Sequence, residues 1–339
     1  MAEPIFEFID NILGQERCKF KGTVYKIIRE EFTDNRFIRY GNQKYALIDN
    51  KKQIESRIKT AKLSLNFQNC IFTEYADFGF QLFSKHVNFI GATFTKNADF
   101  RKTVFEEDAS FRFATFMKDA YFRDSVFEKE AYFDSTIFLQ ETYFGHADFF
   151  NYTSFKGAII NTFNLSNLIT HEKFRLDLSF SQIGMMYYQN TNFKKTDTKE
   201  TFLILKQAAL KQHDQINALD FYKKEMQAHK DSLEWCSRDC LDKLVLSFER
   251  LSSNYGTNGI ISILWVFAIT FLFSGLMVGT YSLEVFLHII NPLTKFNDIA
   301  DTLVCNTTLN HTLFIFHKLS LAVLIYETIK SFRKFSRKL

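Results

Sequence analysis

The chain has 339 residues, with 42 basic against 38 acidic side chains and a net charge of +4, a near balance that excludes the strongly basic electrostatic footprint of a nucleic-acid binder. Forty-one phenylalanines stand against two prolines and twelve glycines, which excludes a disordered or linker-rich protein. Five scattered cysteines, an odd number, fit reduced thiols in a cytoplasmic compartment better than a disulfide framework, and the length accommodates two or three domains.

The N-terminus, MAEPIFEFIDNILGQERCKFKG, has acidic residues where a secretory signal would be basic and lacks a long apolar core, so no cleaved targeting peptide is expected. Alternating residues predict strands over Thr23 to Ile28, Arg36 to Tyr40 and Lys44 to Ile48, with a hairpin turn at Gly41 and Asn42. Residues 1–60 thus read as a mixed α/β N-terminal cap for the segment beyond them.

From Phe67 to Ile160 a bulky apolar residue returns at alternating intervals of five and six. The positions are Phe67, Phe72, Phe78, Phe83, Phe89, Phe94, Phe100, Phe105, Phe111, Phe116, Phe122, Phe127, Phe133, Phe138, Phe144, Phe149, Phe155 and Ile160. Two residues before most of them sits a small side chain such as Cys70, Ala92, Ala98, Thr103 or Ala109. The unit is about eleven residues long and is copied along the chain. A long helix is a poor host for it: five residues advance about 140° round a helix, so the phenylalanines would fall in two separated stripes. Aromatic and β-branched residues also favour extended chain. In extended chain, positions two apart point the same way, so phenylalanine and the small residue both face an axis while Asp, Glu, Lys, Arg and Tyr face out. The stretch reads as a solenoid whose core includes Phe78, Phe89, Phe100, Phe105, Phe111, Phe116, Phe122, Phe127, Phe133, Phe138, Phe144 and Phe149. Thirteen acidic and ten basic residues over 61–160 leave the rod nearly neutral.

The segment ADFRKTVFEEDASFRFATFMKDAYFRDSVFEKEAYFDSTIF, Ala98 to Phe138, resembles the pentapeptide-repeat family, whose motif is A(D/N)Lxx with Leu or Phe at the centre. It is most similar to the Phe-centred variant that alternates five- and six-residue steps. The resemblance covers residues 61–185 and implies a right-handed quadrilateral β-helix with four steps to a 22-residue coil. At about 4.8 Å per coil, four to five and a half coils would make a rod of roughly 20 to 26 Å.

Beyond Ile160 the spacing continues through Phe163, Leu168 and Phe174, displaced by three residues, and then raggedly through Phe180 and Met185, which predicts a last coil with a small inserted loop. From Asp197 the period becomes helical. Asp197 with Glu200 forms a capping-box pattern, and Phe202, Leu205, Ala209 and Leu210 make one apolar face. A break at His213 to Gln215 precedes a second helix with Ala218, Phe221, Tyr222 and Met226, so a helical hairpin is expected, in the role of a C-terminal plug. ETFLILKQAALKQHDQINALDFYKKEMQAHK also resembles the helical segment after the repeats in membrane-anchored bacterial pentapeptide proteins. Ser232 is placed to cap a third, amphipathic helix carrying Trp235, Leu241, Leu244, Val245, Phe248 and Leu251, suited to a bilayer surface or to a soluble partner; the whole helical region spans 197–252.

GIISILWVFAITFLFSGLMVGTY, residues 259–281, has no charge in 23 residues and would be about 34 Å long as a helix, enough to cross the hydrocarbon layer. A second span is expected over 312–329, although it contains His317 and Lys318, an ionisable pair at membrane depth and hence a candidate functional pair. Lys318 alternatively reaches the surface or a polar group on the first span. The ending YETIKSFRKFSRK resembles the terminus of the same membrane-anchored proteins. Arg238, Lys243 and Arg250 before the first span and Lys330, Arg333, Lys334, Arg337 and Lys338 after the second, against Lys295 between them, put both termini in the cytoplasm, 282–311 outside and a basic tail, 330–339, inside.

No phosphate-binding glycine loop, HExxH or GxSxG motif is present, and no catalytic residue, cofactor or metal is expected. His229, Cys236 and Cys240 share a helical face, but His229 and Cys236 would be about 10 Å apart along a helix, too far for one zinc ion. Three readings of function are compatible with these residues. The first is a non-catalytic, membrane-anchored interaction scaffold at the cytoplasmic face of a bacterial inner membrane, with a protein partner, no nucleic acid and a homo-oligomer as an option. The second is a channel- or transport-related protein with a cytoplasmic sensor solenoid. Mimicry of nucleic acid, as in the family's gyrase-binding members, would need a strongly acidic rod.

Overall fold

A computed structural model describes residues 6–12, 15–21, 23–26, 28–29, 36–40, 42–60, 64–193, 196, 198–235, 239–278, 283–298 and 308–336. The chain divides into two compact units, Met1–Gln212 and His213–Leu339.

In the first unit the expected alternation becomes a β-solenoid of about six turns. Its parallel strands pair at 22-residue spacing: Phe72 with Phe94, Phe116 and Phe138; Ala76 with Ala98 and Ala120; Leu82 with Val104 and Val126; Val87 with Ala109 and Ala131. Four short strands per coil make four sides, and each side carries one column of inward phenylalanines. Rings within a column lie face to face, as in Phe94 over Phe116 at 4.5 Å or Phe100 over Phe122 at 4.8 Å between centroids. The Phe78 and Phe67 columns meet edge to face, with Phe111 and Phe122 at 5.5 Å and 89°. Edge-to-face contact suits the ring quadrupole, the near-parallel stacking follows the spacing of the strands, and every column ring from Phe67 to Phe155 is less than 5 % exposed.

The two step lengths have a backbone cause. After each phenylalanine of the Phe67 and Phe78 columns the chain makes a tight turn whose third residue has positive φ, at Asn69, Phe80, Gly91, Lys102, Phe113, Asp124, Ser135, His146 and Gly157. The residue after it donates back to the phenylalanine carbonyl, as Ala92 N does to Phe89 O at 3.0 Å and Ala114 N to Phe111 O at 3.0 Å. A left-handed residue closes the corner in five residues; the other corners lack it and take six. Small side chains at these corners sit inside the coil, where hydroxyls bond to the coil before: Thr103 Oγ1 donates to Phe78 O at 2.8 Å and Thr136 Oγ1 to Phe111 O at 2.7 Å.

The register past Ile160 differs from the expected one. Phe144 N donates to Asn164 O and Phe155 N to Asp177 O, so the residues that continue these columns are Leu165 and Leu178, not Phe163 or Leu168. The corner after Ile160 loses a residue, and a later one gains residues before Arg175 pairs with Tyr152. Phe163 and Phe174 are nonetheless buried, packing on Phe155 at 4.8 Å and Phe149 at 5.9 Å between centroids. Phe163 stands in the strand Ile159–Asn164 opposite Thr142, the inward position that small residues fill in earlier coils, whereas Phe174 lies in a turn; hydrophobic spacing could not tell these from the column position. Pairing then runs through Gln182–Tyr187 to a bridge between Leu176 and Thr196.

Both ends of the solenoid are covered. Strands β1 (Phe6–Ile12), β2 (Gln15–Phe20) and β3 (Thr23–Lys26) form an antiparallel sheet. Strands β4 (Ile28–Arg29), β5 (Arg36–Tyr40) and β6 (Gln43–Ile48) form another, and β6 pairs in parallel with Cys70–Phe72, extending one solenoid side. Gly41 of the expected turn lies outside the described residues. Helix α1 (Lys51–Thr60) buries Ile54 and places the Arg57 guanidinium 5.8 Å from the centre of the Phe67 ring. At the far end α2 (Lys199–Lys211) buries Phe202, Leu205, Ala208 and Ala209, while Leu210, expected on that face, is exposed. The expected cap Asp197 lies outside the described residues; Thr198 precedes the helix, and Thr201 Oγ1 accepts from Leu178 N at 2.9 Å. An open first or last coil would expose strand edges and phenylalanine faces, which these elements remove.

The second unit holds α3 (Gln215–Ser232), α4 (Cys240–Ser253), α5 (Gly259–Val278), α6 (Leu283–Ile290) and α7 (Thr308–Ser336). The helices expected as a hairpin, α2 and α3, belong to different units. Ser232 closes α3 instead of capping α4, whose N-cap is Asp239, and Trp235 falls in the connection. Stretches Gly259–Met277 and Thr308–Phe332 are long and apolar enough to cross a membrane. Ser262, Thr270 and Ser274 on α5 and Asn310, His317, Glu327 and Ser331 on α7 are buried alongside Met277, Phe314, Leu321 and Leu324, with His317 meeting Thr270 across the pair, while Leu264, Phe271, Leu272, Phe316, Leu319 and Val323 are exposed. Having large apolar side chains face out over a buried side that holds several polar residues is unlike the arrangement of a helix in a soluble core.

Candidate functional site

The solenoid interior is filled by rings, which leaves chemistry and recognition to its outer surface. Outward residues follow the pleat. On the sides of the Phe72 and Phe83 columns they are mostly β-branched or aliphatic: Thr93, Thr115, Ile137 and Ile159 on one, and Leu82, Val104, Val126 and Ile169 on the other, interrupted there by Asp148. On the remaining two sides they are Asp, Asn, Ser and Tyr.

Two charged clusters stand on these polar sides. Asp99 is almost fully buried, accepts from Tyr75 Oη at 2.6 Å and receives both Nε and Nη2 of Arg101 at 3.0 and 2.5 Å. Burial alone would raise the Asp99 carboxyl, but the hydrogen bonds from Arg101 and Tyr75 outweigh it and hold the group below the usual carboxylate range. Burial, with the hydrogen bond to Asp99 added, pushes the Tyr75 phenol up to about 12. Arg101 also lies 5.7 Å from the Tyr121 ring, which stacks on Tyr143 at 5.3 Å. On another side Arg112 bonds Asp134 one coil on at 2.8 Å and lies 3.8 Å over the Tyr132 ring. None of these residues stands out in the sequence, because each occupies an ordinary outward position.

The more unusual feature is three bare phenylalanines. Phe80, Phe113 and Phe180 are 74 %, 62 % and 76 % exposed, and each occupies a left-handed corner with φ of 58° to 60°. A bulky side chain in that region is conformationally costly, and here no burial offsets it. Phe113 borders a groove of about 260 Å³ lined also by Gln43, Tyr45, Asn69, Ile90 and Gly91. Residues held in unfavourable backbone geometry and bare to solvent point to contact with something else.

In the second unit His317 is fully buried, with Nε2 3.2 Å from Thr270 Oγ1. Lys318 Nζ donates to Ile289 O at 3.2 Å and Asn291 O at 2.6 Å, at the C-terminal end of α6. The ammonium therefore satisfies carbonyls that the helix leaves open, at the end where a positive charge is favoured. Adjacent in sequence, the two residues serve different partners. Segment 282–311, expected as an outer loop, contains α6, which packs Val285 and Ile289 against Met277 and Phe314.

Cys18 and Cys70 are buried packing residues, and Cys240, at the start of α4, is half-buried. Burial pushes the Cys18 thiol up to about 11, and that of Cys70 likewise, the latter against the opposing pull of Arg57. Among the described residues no three His, Cys, Asp or Glu side chains could hold a metal ion; Cys236 lies outside them.

Compared with known proteins, residues 67–115 and 114–159 each match the family model described as pentapeptide repeats (9 copies). No curated protein and no solved structure matches the chain. The stacked phenylalanine columns, the 22-residue pairing and this match together identify residues 67–159 as pentapeptide repeats of the Phe-rich kind.

Proposed function

We propose that the protein is a membrane-anchored, non-catalytic interaction scaffold, held by α5 and α7 in a bacterial cytoplasmic membrane with both termini on the cytoplasmic side. The observation that carries this reading is the exposure of Phe80, Phe113 and Phe180 at left-handed corners of a rod whose interior is full. Exposed aromatics are among the side chains that dominate protein interfaces. The apolar outer surfaces of α5 and α7 support the anchor, and the basic residues outside the two spans support the orientation. A near-neutral rod argues against a nucleic-acid partner.

The test is co-purification from membranes after crosslinking, with the intact chain beside a Phe80→Ser, Phe113→Ser, Phe180→Ser variant. The variant should stay in the membrane fraction and lose the specifically captured protein. An unchanged set of captured proteins would remove the solenoid surface from the function.

One observation favours a second reading, a channel-related protein: α6 is a short apolar helix between the two spans, packed on both, with Asn291 and Pro292 at its end. Half-helices at membrane depth occur where they line a cavity or are buried in protein, and two spans per chain would need several copies to enclose a pore. Cation flux in proteoliposomes that disappears on Lys318→Ala would establish that reading in place of the scaffold.

A further inference from the structure

The stripe on α4 formed by Leu241, Leu244, Val245, Phe248 and Leu251 recurs at helical spacing, and every member is exposed, Leu241 by 73 % and Leu251 by 64 %. One flank of the helix is engaged: Ser253 is buried, its Oγ donates to Glu327 at 2.8 Å, and Glu249 accepts from Lys330 Nζ at 2.8 Å, while Ser252, in line with the stripe at its C-terminal end, is buried too. An amphipathic helix in a water-soluble domain turns its apolar stripe to its neighbours and its polar residues to solvent. Here the polar edge grips α7 and the apolar stripe faces away.

The neighbours say what faces it. The carbonyl of Leu251 accepts from Trp265 Nε1 at 2.8 Å, so the end of α4 lies beside the second turn of α5. Trp265 is half-exposed, and Ile260 and Leu264 of the same turns are exposed, so the end of the stripe at Leu251 meets the outer apolar surface of α5 at Trp265. Trp235, just before the helix, is also exposed, with the ammonium of Lys243 5.0 Å from its ring. Tryptophan, lysine and arginine bordering an apolar stripe is the composition of a helix at the boundary between headgroups and acyl chains.

We infer that α4 lies in the cytoplasmic leaflet's interface with its leucine and phenylalanine stripe sunk about 5–10 Å among the lipids, a third membrane contact besides the two spans. The inference rests on the membrane reading of α5 and α7. Through Glu249–Lys330 and Ser253–Glu327 it couples the depth of α4 to the end of α7.

The chain has two tryptophans, which makes depth measurable. In the full-length protein with Trp235→Phe and Trp265→Phe, Phe248→Trp reports from the stripe and Leu272→Trp from the outer face of α5, in vesicles of phosphatidylcholine and phosphatidylglycerol brominated at shallow or deep acyl carbons. The expected result is about twofold quenching at position 248 by shallow bromines, weaker quenching by deep ones, and the reverse order at 272. Quenching at 272 with none at 248 would overturn the inference and leave the anchor standing, whether 248 is then reached by aqueous iodide or shielded by protein. Loss of quenching at both would overturn the anchor itself. In the unaltered chain, photolabelling from a diazirine-bearing lipid should mark residues 241–251 as well as α5 and α7; label confined to α5 and α7 overturns the inference without any substitution.

Discussion

At the scale of single residues, the clearest electrostatic prediction concerns Asp99. Its carboxyl is held below its ordinary range by Arg101 and Tyr75 against the opposing effect of burial. A depressed carboxyl adds stability that is fully present above the unfolded value, near about 3.9, and is lost as pH falls through the folded value. Asp99→Asn should therefore cost about 1–2 kcal/mol at neutral pH and flatten the acid side of the stability profile below about pH 4. Unfolding followed by circular dichroism across pH checks this; an acid limb identical to that of the unaltered protein would mean that Arg101 and Tyr75 contribute nothing there. The same cluster could not be singled out beforehand, since Tyr75, Asp99 and Arg101 meet only because Tyr75 and Asp99 sit on neighbouring coils.

At the scale of the elements, each coil is held by the ones above and below it. Phe122 stacks on Phe100 and Phe144 at 4.8 and 4.6 Å and meets Phe111 and Phe133 edge on at 5.5 Å each. Phe122→Ala should open a cavity costing about 3–5 kcal/mol. Because contacts in a solenoid are between neighbours, the damage should be local. Hydrogen exchange should rise over residues 100–144 while β6 and α2 keep their protection; a uniform rise along the rod would show instead that the coils open together. Helix α6 belongs to the same scale. Its C-terminal carbonyls are met by Lys318, a role visible only once α7 is placed beside it.

At the scale of the whole molecule, α5 and α7 expose leucine and phenylalanine and hide serine, threonine, histidine and glutamate. The intact chain should resist alkaline carbonate extraction, and a chain ending at Ser253 should be released, apart from whatever α4 alone retains. Release of the intact chain would place those outer surfaces against protein.

The architecture of the repeats was written openly in the chain, because side chains alternate in extended backbone and one phenylalanine column needs one residue every 22 positions. Hydropathy marked α5 and α7 for the same kind of reason: length and composition alone decide whether a helix can cross hydrocarbon. Tertiary structure decided what depends on the geometry of partners distant in sequence. Nothing in Phe163 or Phe174 distinguishes a column ring from one at the small-residue position or in a turn, and only the pairing past Ile160 does so. Left-handed corners occupied by Phe80, Phe113 and Phe180 were hidden because the turn accepts many residue types, and glycine stands only at some of its copies, such as Gly91 and Gly157. The outward stripe of α4 could have faced protein or lipid by its periodicity; the bonds from Glu249 and Ser253 to α7 turn it away from its neighbours.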